Sequence, residues 1–320
     1  MAIDPNNPNP NSKEWKLIEK MLLSSLDEQR RARRWGIFFK TLTFLYILGF
    51  FLLARGGSGD LTPQASALTD HTAMIELNGE IGAEAEVNSD QVIKGLKNAF
   101  KAQHVKGIIL RINSPGGSPV QSALIYKEIM RLKKLNPNKK VYAVITDMGA
   151  SGAYYVAAAA DEIYADQTSI VGSIGVVSPG FGFVGLLDKL GIERRLLTSG
   201  EHKGMLDPFS PRKPDDEAHF ATLLKTVHQE FIGAVKAGRG DRLKENPDIF
   251  SGMFWNGTQA LELGLIDGFG SAASVAREKI KQENIVDYSA KSDPFDAFAK
   301  RIGMSMAASL KASAMGISLQ

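Results

Sequence analysis

The hydrophobic pattern of this chain changes character twice. Trp35–Ala54 (WGIFFKTLTFLYILGFFLLA) is apolar on every face of a helix and carries one charge, Lys40. About twenty residues at 1.5 Å rise cross a hydrocarbon core of roughly 30 Å, and Lys40 lies near one end, where its stem can reach water. The pattern predicts a transmembrane helix over 35–54. Ahead of it, residues 13–29 have the spacing of a short amphipathic helix, and the opening MAIDPNNPNPN is too rich in Pro and Asn to build a packed core. Residues 55–72, including GGSGDLTPQASALTD, have the composition of a tether.

From Ala73 to about residue 283 short, continuous apolar runs alternate with segments of helical period. Strands are predicted at Ala73–Leu77, Gly107–Ile112, Val141–Ile145, Ile163–Ala165 and Arg195–Thr198. Helices are predicted at Ser89–Gln103, from Pro119 to about Leu135, at Ala153–Ala160, and at Pro214–Arg239, Thr258–Leu265 and Ser271–Gln282. The long helix carries Phe220, Leu223, Leu224, Val227, Phe231 and Val235 along one stripe. Ser118 followed by Pro119 is a helix start, an N-cap with proline at the first helical position. Strands apolar throughout, alternating with helices, predict an α/β domain with a buried, largely parallel sheet. Residues 284–320 end in the low-complexity MSMAASLKASAMGISLQ and are expected to be flexible or to dock on a partner.

Charge adds an orientation. Arg30, Arg31, Arg33 and Arg34 precede the apolar run, and after Arg55 the next Lys or Arg is Lys94. The positive-inside rule then leaves residues 1–34 in the cytoplasm and the bulk of the chain outside it. The run is longer and later than the core of a cleaved signal peptide, so an uncleaved signal anchor is expected. A net charge of +3 gives no sign of a nucleic-acid partner. With no cysteine, disulfides, thiolate metal sites and cysteine nucleophiles are excluded.

The candidate chemistry gathers at three loops. In Asp147-Met-Gly-Ala-Ser151-Gly-Ala-Tyr-Tyr155 a serine among small residues stands where a buried strand turns into a helix. That geometry exposes a nucleophilic hydroxyl and leaves room for an approaching carbonyl, although a helix-capping serine shares the pattern. In Ile112-Asn-Ser-Pro-Gly116-Gly117-Ser-Pro119 two glycines between strand and helix let the backbone approach a ligand with unpaired N–H groups. These suit an oxyanion, a tight structural turn remains open, and the spacing fits neither phosphate-loop pattern. A serine needs a base. His71, His104, His219 and His228 have no placement typical of a triad, whereas Lys203 lies in the Gly-flanked loop Thr198-Ser-Gly200-Glu-His-Lys203-Gly204. An amine serves as a base only when neutral, well below the ordinary lysine value of about 10.4. Burial among apolar groups supplies such a shift.

Five blocks, in order, resemble the signal peptide peptidase A (SppA) family of bacterial Ser–Lys proteases, in its short membrane-anchored form. They are Ile112–Gly117, Met148–Tyr155, Val171–Gly175, Ser199–Lys203 and Thr258–Asp267, within residues 73–283. The resemblance implies a Clp protease/crotonase-like α/β spiral behind an N-terminal transmembrane helix. It implies Ser151 as nucleophile, Lys203 as general base, Ser173 as the group that orients the lysine, and Gly117 and Gly152 as oxyanion donors. No metal or cofactor is implied. The implied partners are signal peptides, the lipid bilayer and further copies of the chain. The expected assembly is a homo-oligomeric ring, typically an octamer, with serine and lysine from neighbouring protomers. The implied place is the inner membrane of a bacterial cell, with the catalytic domain on the extracytoplasmic face. Phe181, Phe183, Val184 and Leu186 are candidates for a specificity pocket or, slightly favoured, for core. Three rivals stand beside this reading. A Clp-type protease would need a histidine where the chain has Val176-Val177-Ser178-Pro179. A crotonase-type acyl-CoA enzyme needs no serine elbow. The last is a catalytically silent membrane scaffold.

Overall fold

The computed structural model describes residues 13–57 and 69–290. The expectations for residues 1–11, for the middle of the tether and for the tail beyond 290 lie outside the described residues. The chain divides into two compact units, one up to Leu61 and one from Thr62 onward.

Among the described residues the first unit is one helix, α1 (Lys13–Gly57), of 45 residues. The amphipathic segment and the apolar run are therefore continuous, and Trp35 stacks on Phe39 with centroids 5.7 Å apart. Among the described residues no helix is long and apolar enough to cross a membrane. The side chains of residues 50–54, the end of the predicted span, lie outside the described set.

The second unit is built on β1 (His71–Asn78), α2 (Ser89–Lys101), β2 (Val105–Ser114), α3 (Pro119–Leu135), β3 (Lys140–Ala150) and α4 (Gly152–Ala157). Then follow β4 (Glu162–Ala165), β5 (Ile170–Gly172), α5 (Val184–Leu190), α6 (Pro214–Arg239), β6 (Phe254–Asn256), α7 (Gly257–Glu262), β7 (Gly268–Phe269), α8 (Ala272–Val275) and β8 (Ile285–Asp287). The main sheet runs β6-β5-β3-β2-β1-β8. Its pairs are parallel apart from β5–β6. β3 forks: Tyr142–Ile145 pair with β4, and Met148–Ala150 pair with β5.

Helices cover both faces, which is why the strands read as continuous apolar runs. Ile108, Leu110 and Ile112 of β2 enter the main core with Leu96, Ile125 and Val156. Ile109 enters a smaller cluster with Tyr142, Val144, Tyr164 and Val275 on the other face. Each fully buried Ile or Leu contributes about 1.5–3 kcal/mol relative to exposure. The predicted start of α3 holds: the Ser118 hydroxyl accepts from Gln121 N–H, with Pro119 next. The parallel register carries the carboxyl ends of β1, β2 and β3 to one edge, the usual place for a site in such sheets.

Three expectations change. Arg195–Thr198 is not a strand, and residues 175–215 include no buried residue at all. Phe181, Phe183 and Leu186 are not core: Phe181 is 82% exposed. Residues 285–287, placed with the tail, form edge strand β8 along β1.

Candidate active site

Ser151 sits at the turn between β3 and α4 with φ 53° and ψ −126°. This region of backbone space is costly for a side chain and persists because neighbours hold it. Ala150 is paired with Gly172, and Ser151 N–H donates to the Gly172 carbonyl at 2.8 Å. The hydroxyl is left without a capping bond, which argues against the N-cap reading.

The glycines around it are enforced by contact. A methyl group on Gly116 would lie 2.5 Å from the Gly152 nitrogen and 2.8 Å from Ser151 Cβ. One on Gly152 would collide with the Ser122 hydroxyl and lie 3.3 Å from the Gly117 nitrogen. The Gly117 and Gly152 amides therefore meet beside Ser151, and neither has an assigned acceptor among the described residues. Two free N–H groups next to an exposed hydroxyl are what a tetrahedral oxyanion requires.

Gly117, Ser151 and Gly152 line a pocket that opens to solvent. Its far wall is Tyr155, Val176, Val177, Val227 and Phe231. Tyr155 stacks on Phe231 at 4.9 Å and meets Tyr126 edge-on at 5.3 Å. Burial pushes the Tyr155 phenol up, so it stays neutral. The wall is thus apolar and comes largely from α4 and α6, not from the Phe181–Leu186 segment that sequence proposed.

Ser173, the residue after the one paired with Ala150, also has positive φ, 52°. Its N–H donates to the Met253 carbonyl at 2.7 Å. The next carbonyl, of Ile174, is held by His228 Nε2 of α6 at 3.0 Å, so the tautomer carries its proton on Nε2. Sequence found no triad placement for His228 and gave it no role.

Lys203 is elsewhere. It lies in the turns at 201–206, exposed, with its N–H donating to the Gly200 carbonyl at 3.1 Å. Among the described residues its amine has no hydrogen-bond or ion-pair partner, and it does not line the pocket. The structure brings together Ser151, Gly117 and Gly152, sets Ser173 one residue beyond the Gly172 carbonyl that holds Ser151, and leaves Lys203 on a separate arm. That arm is stapled to itself. Phe183 stacks on Phe209 at 5.3 Å, Arg194 lies 5.8 Å over the same ring, and Arg194 pairs with Asp207 at 3.3 Å. His202, the neighbour of Lys203, meets Asp216 at the start of α6 at 2.5 Å. The pairing raises the imidazole above its ordinary value, chiefly through the hydrogen bond it donates to the Asp216 carboxylate.

The profile of Peptidase family S49 matches residues 133–286. The chain is 30% identical over 244 residues to a protein of Enterococcus faecium provisionally named signal peptide peptidase SppA, covering 72% of this chain and 70% of that one. It is 29% identical over 254 residues to the chloroplastic serine protease SPPA of Arabidopsis thaliana, covering 74% of this chain and 37% of that one. It is also 50% identical over 183 residues to proteins of Brucella abortus and Brucella melitensis named Na(+)/H(+) antiporter NhaA. That match covers 57% of this chain, and the chain spans only 25% of either Brucella protein.

Proposed function

The chain belongs to peptidase family S49, the SppA group, and from that premise we propose that it is a membrane-anchored serine endopeptidase working through a Ser151–Lys203 dyad. Ser151 Oγ attacks the peptide carbonyl as its proton passes to the neutral Lys203 amine. The Gly117 and Gly152 N–H groups hold the oxyanion, and Lys203 returns the proton to the leaving amine. Water then attacks the acyl-enzyme by the same route. Ser173 hydrogen-bonds the amine and aims it. The observation that carries the reading is the strained Ser151 elbow, its hydroxyl without a capping bond beside two amides that have no acceptor among the described residues, at the mouth of an apolar pocket.

Lys203 reaches the serine from a neighbouring copy. Support for this comes from an arm with no buried residue and an amine with no partner among the described residues. A ring of copies, an octamer by resemblance, satisfies both. The apolar wall suits signal peptides and segments of misfolded exported protein. The apolar run 35–54 with its four preceding arginines supports an anchor in the inner membrane and a site on the extracytoplasmic face. The antiporter name of the Brucella proteins is not carried over, since this chain spans a quarter of their length. A histidine base is disfavoured because His228 is committed to the Ile174 carbonyl.

The test is labelling of the full-length protein by a fluorophosphonate, with the adduct mapped by mass spectrometry. Label on Ser151, and loss of peptide hydrolysis by at least about 10⁴-fold in Ser151→Ala, are expected. Hydrolysis that survives Ser151→Ala would end the reading, and a wild type that takes no label and hydrolyses no peptide would return the scaffold alternative.

A further inference from the structure

We infer that Ser114 is a positioning residue for the oxyanion site, acting with the Ile81 backbone to fix the direction of the Gly117 N–H; this rests on the serine-peptidase reading above. Ser114 ends β2, and its side chain is fully buried. It is not at the pocket and touches no reacting atom. Its Oγ accepts the Gly116 N–H at 3.1 Å. On the other side of the same residue, the Gly116 carbonyl accepts the Ile81 N–H at 2.8 Å. Both peptide planes that meet at the Gly116 Cα are therefore held from outside. Gly116 needs that hold, because at φ 95° a glycine has a broad choice of neighbouring conformations.

The direction of the catalytic amide follows. In a trans peptide the C=O and the next N–H point opposite ways. With the Gly116 carbonyl turned to Ile81, the Gly117 N–H is turned away from it. The Ser118 N–H donates to the Ile81 carbonyl at 2.7 Å, completing a parallel bridge that straddles Gly117 and uses neither of its own polar groups. The freed N–H belongs to a nitrogen that a methyl group on Gly152 would approach to 3.3 Å, and a methyl group on Gly116 would in turn press on Gly152 and Ser151. Without the Ser114 acceptor the Gly116 N–H is buried and unpaired, and rotating the Gly116 peptides toward a new acceptor is the available relief. That rotation carries the Gly117 N–H off the oxyanion.

A donor of this kind acts in the transition state, so its misplacement lowers kcat and leaves substrate binding alone. Removing an oxyanion donor outright costs about 10²–10³ in kcat, and a donor that is misaimed part of the time should cost about 10–100-fold. The experiment uses the full-length protein in detergent and compares wild type, Ser114→Ala, Ser114→Cys and Ser151→Ala. Expected for Ser114→Ala is a kcat lower by about 10–100-fold with KM within about twofold. Its inhibition constant for a peptide aldehyde, whose adduct places an oxygen on both amides, should rise by a similar factor. Ser114→Cys, of similar size but a weaker acceptor, should fall between, and it carries the readout if the alanine variant does not fold. A lowered melting temperature with kcat and aldehyde affinity unchanged overturns the inference as a purely structural effect. So does a KM rise that accounts for the whole loss. Hydrolysis retained by Ser151→Ala overturns the underlying reading instead, so the two failures are separable.

Discussion

Asp267 closes the Thr258–Asp267 block that sequence singled out, and the structure gives it work unrelated to catalysis. Its carboxylate takes two hydrogen bonds from Arg239, at 2.7 and 2.9 Å, one from the Ile163 N–H at 2.7 Å and one from Arg242 at 3.1 Å. Arg239 is 1% exposed. The pair therefore ties α6 to the α7–β7 turn and to β4. Burial pushes the Asp267 carboxyl up, but the bonds and charges of Arg239, the Ile163 amide and Arg242 outweigh it and hold it below the ordinary carboxylate value. Since the folded value is depressed, this stabilisation is present above the unfolded value and is lost as pH falls through the folded one. Asp267→Asn leaves the Arg239 charge buried without its counterion, at a cost of about 3 kcal/mol at pH 7. That corresponds to a Tm lower by roughly 6–12 °C in a unit of this size. Thermal melts at pH 7 and near pH 3 should show the gap between variant and wild type narrowing in acid; equal melting at pH 7 would show the ion pair to be dispensable.

Among elements, the arm over residues 175–215 separates what sequence could deliver from what it could not. Ser118-Pro119, the apolar runs of β2 and β3 and the small residues at the elbow each carry a local cause, so α3, the central strands and Ser151 were legible. β5, β6 and β8 are three residues each, too short for a period, and exist because longer strands lie beside them. The Arg195–Thr198 run has strand composition, but Leu197 is 98% exposed. An apolar pattern records a need for cover without recording where the cover comes from. The stripe of α6 shows the same split: Phe231 and Val235 are buried, while Leu223 is 48% exposed. The His202–Asp216 contact spans fourteen positions with no spacing rule to announce it. It predicts a pH response in the arm. A raised imidazole value means the contact contributes fully below the ordinary histidine value and is lost as pH rises through the folded one. Glu201 reinforces the charged form, and burial and Lys213 oppose it. Hydrogen-exchange protection factors of residues 200–206 should fall between about pH 6 and pH 8 in the wild type. They should stay low and flat in His202→Gln, and a pH-dependent loss that persists in that variant would assign the response to another group.

At the scale of the whole molecule, the proposal turns on how a serine and a lysine on separate parts of one unit come to share a proton. The serine loop is rigid, pinned by strand pairing on one side and glycine contacts on the other. The lysine arm has its own aromatic staple and no core, and it exposes Val177, Phe181 and Leu197 to solvent at 83%, 82% and 98%. Large apolar side chains exposed to this degree suit a surface that meets another chain, and a head-to-tail contact between identical chains closes into a ring when its rotation permits. In such a ring each site takes Ser151 from one copy and Lys203 from the next. Neither Ser151→Ala nor Lys203→Ala should hydrolyse peptide alone. When the two variants are co-expressed in equal amounts, a site is whole where a Lys203→Ala copy supplies the serine and a Ser151→Ala copy supplies the lysine. Random mixing then restores about a quarter of wild-type activity per particle. If the lysine instead folds back onto its own chain, no mixed particle contains an intact pair. Assays of the purified co-expressed particle that stay at the level of the single variants would therefore exclude the shared site.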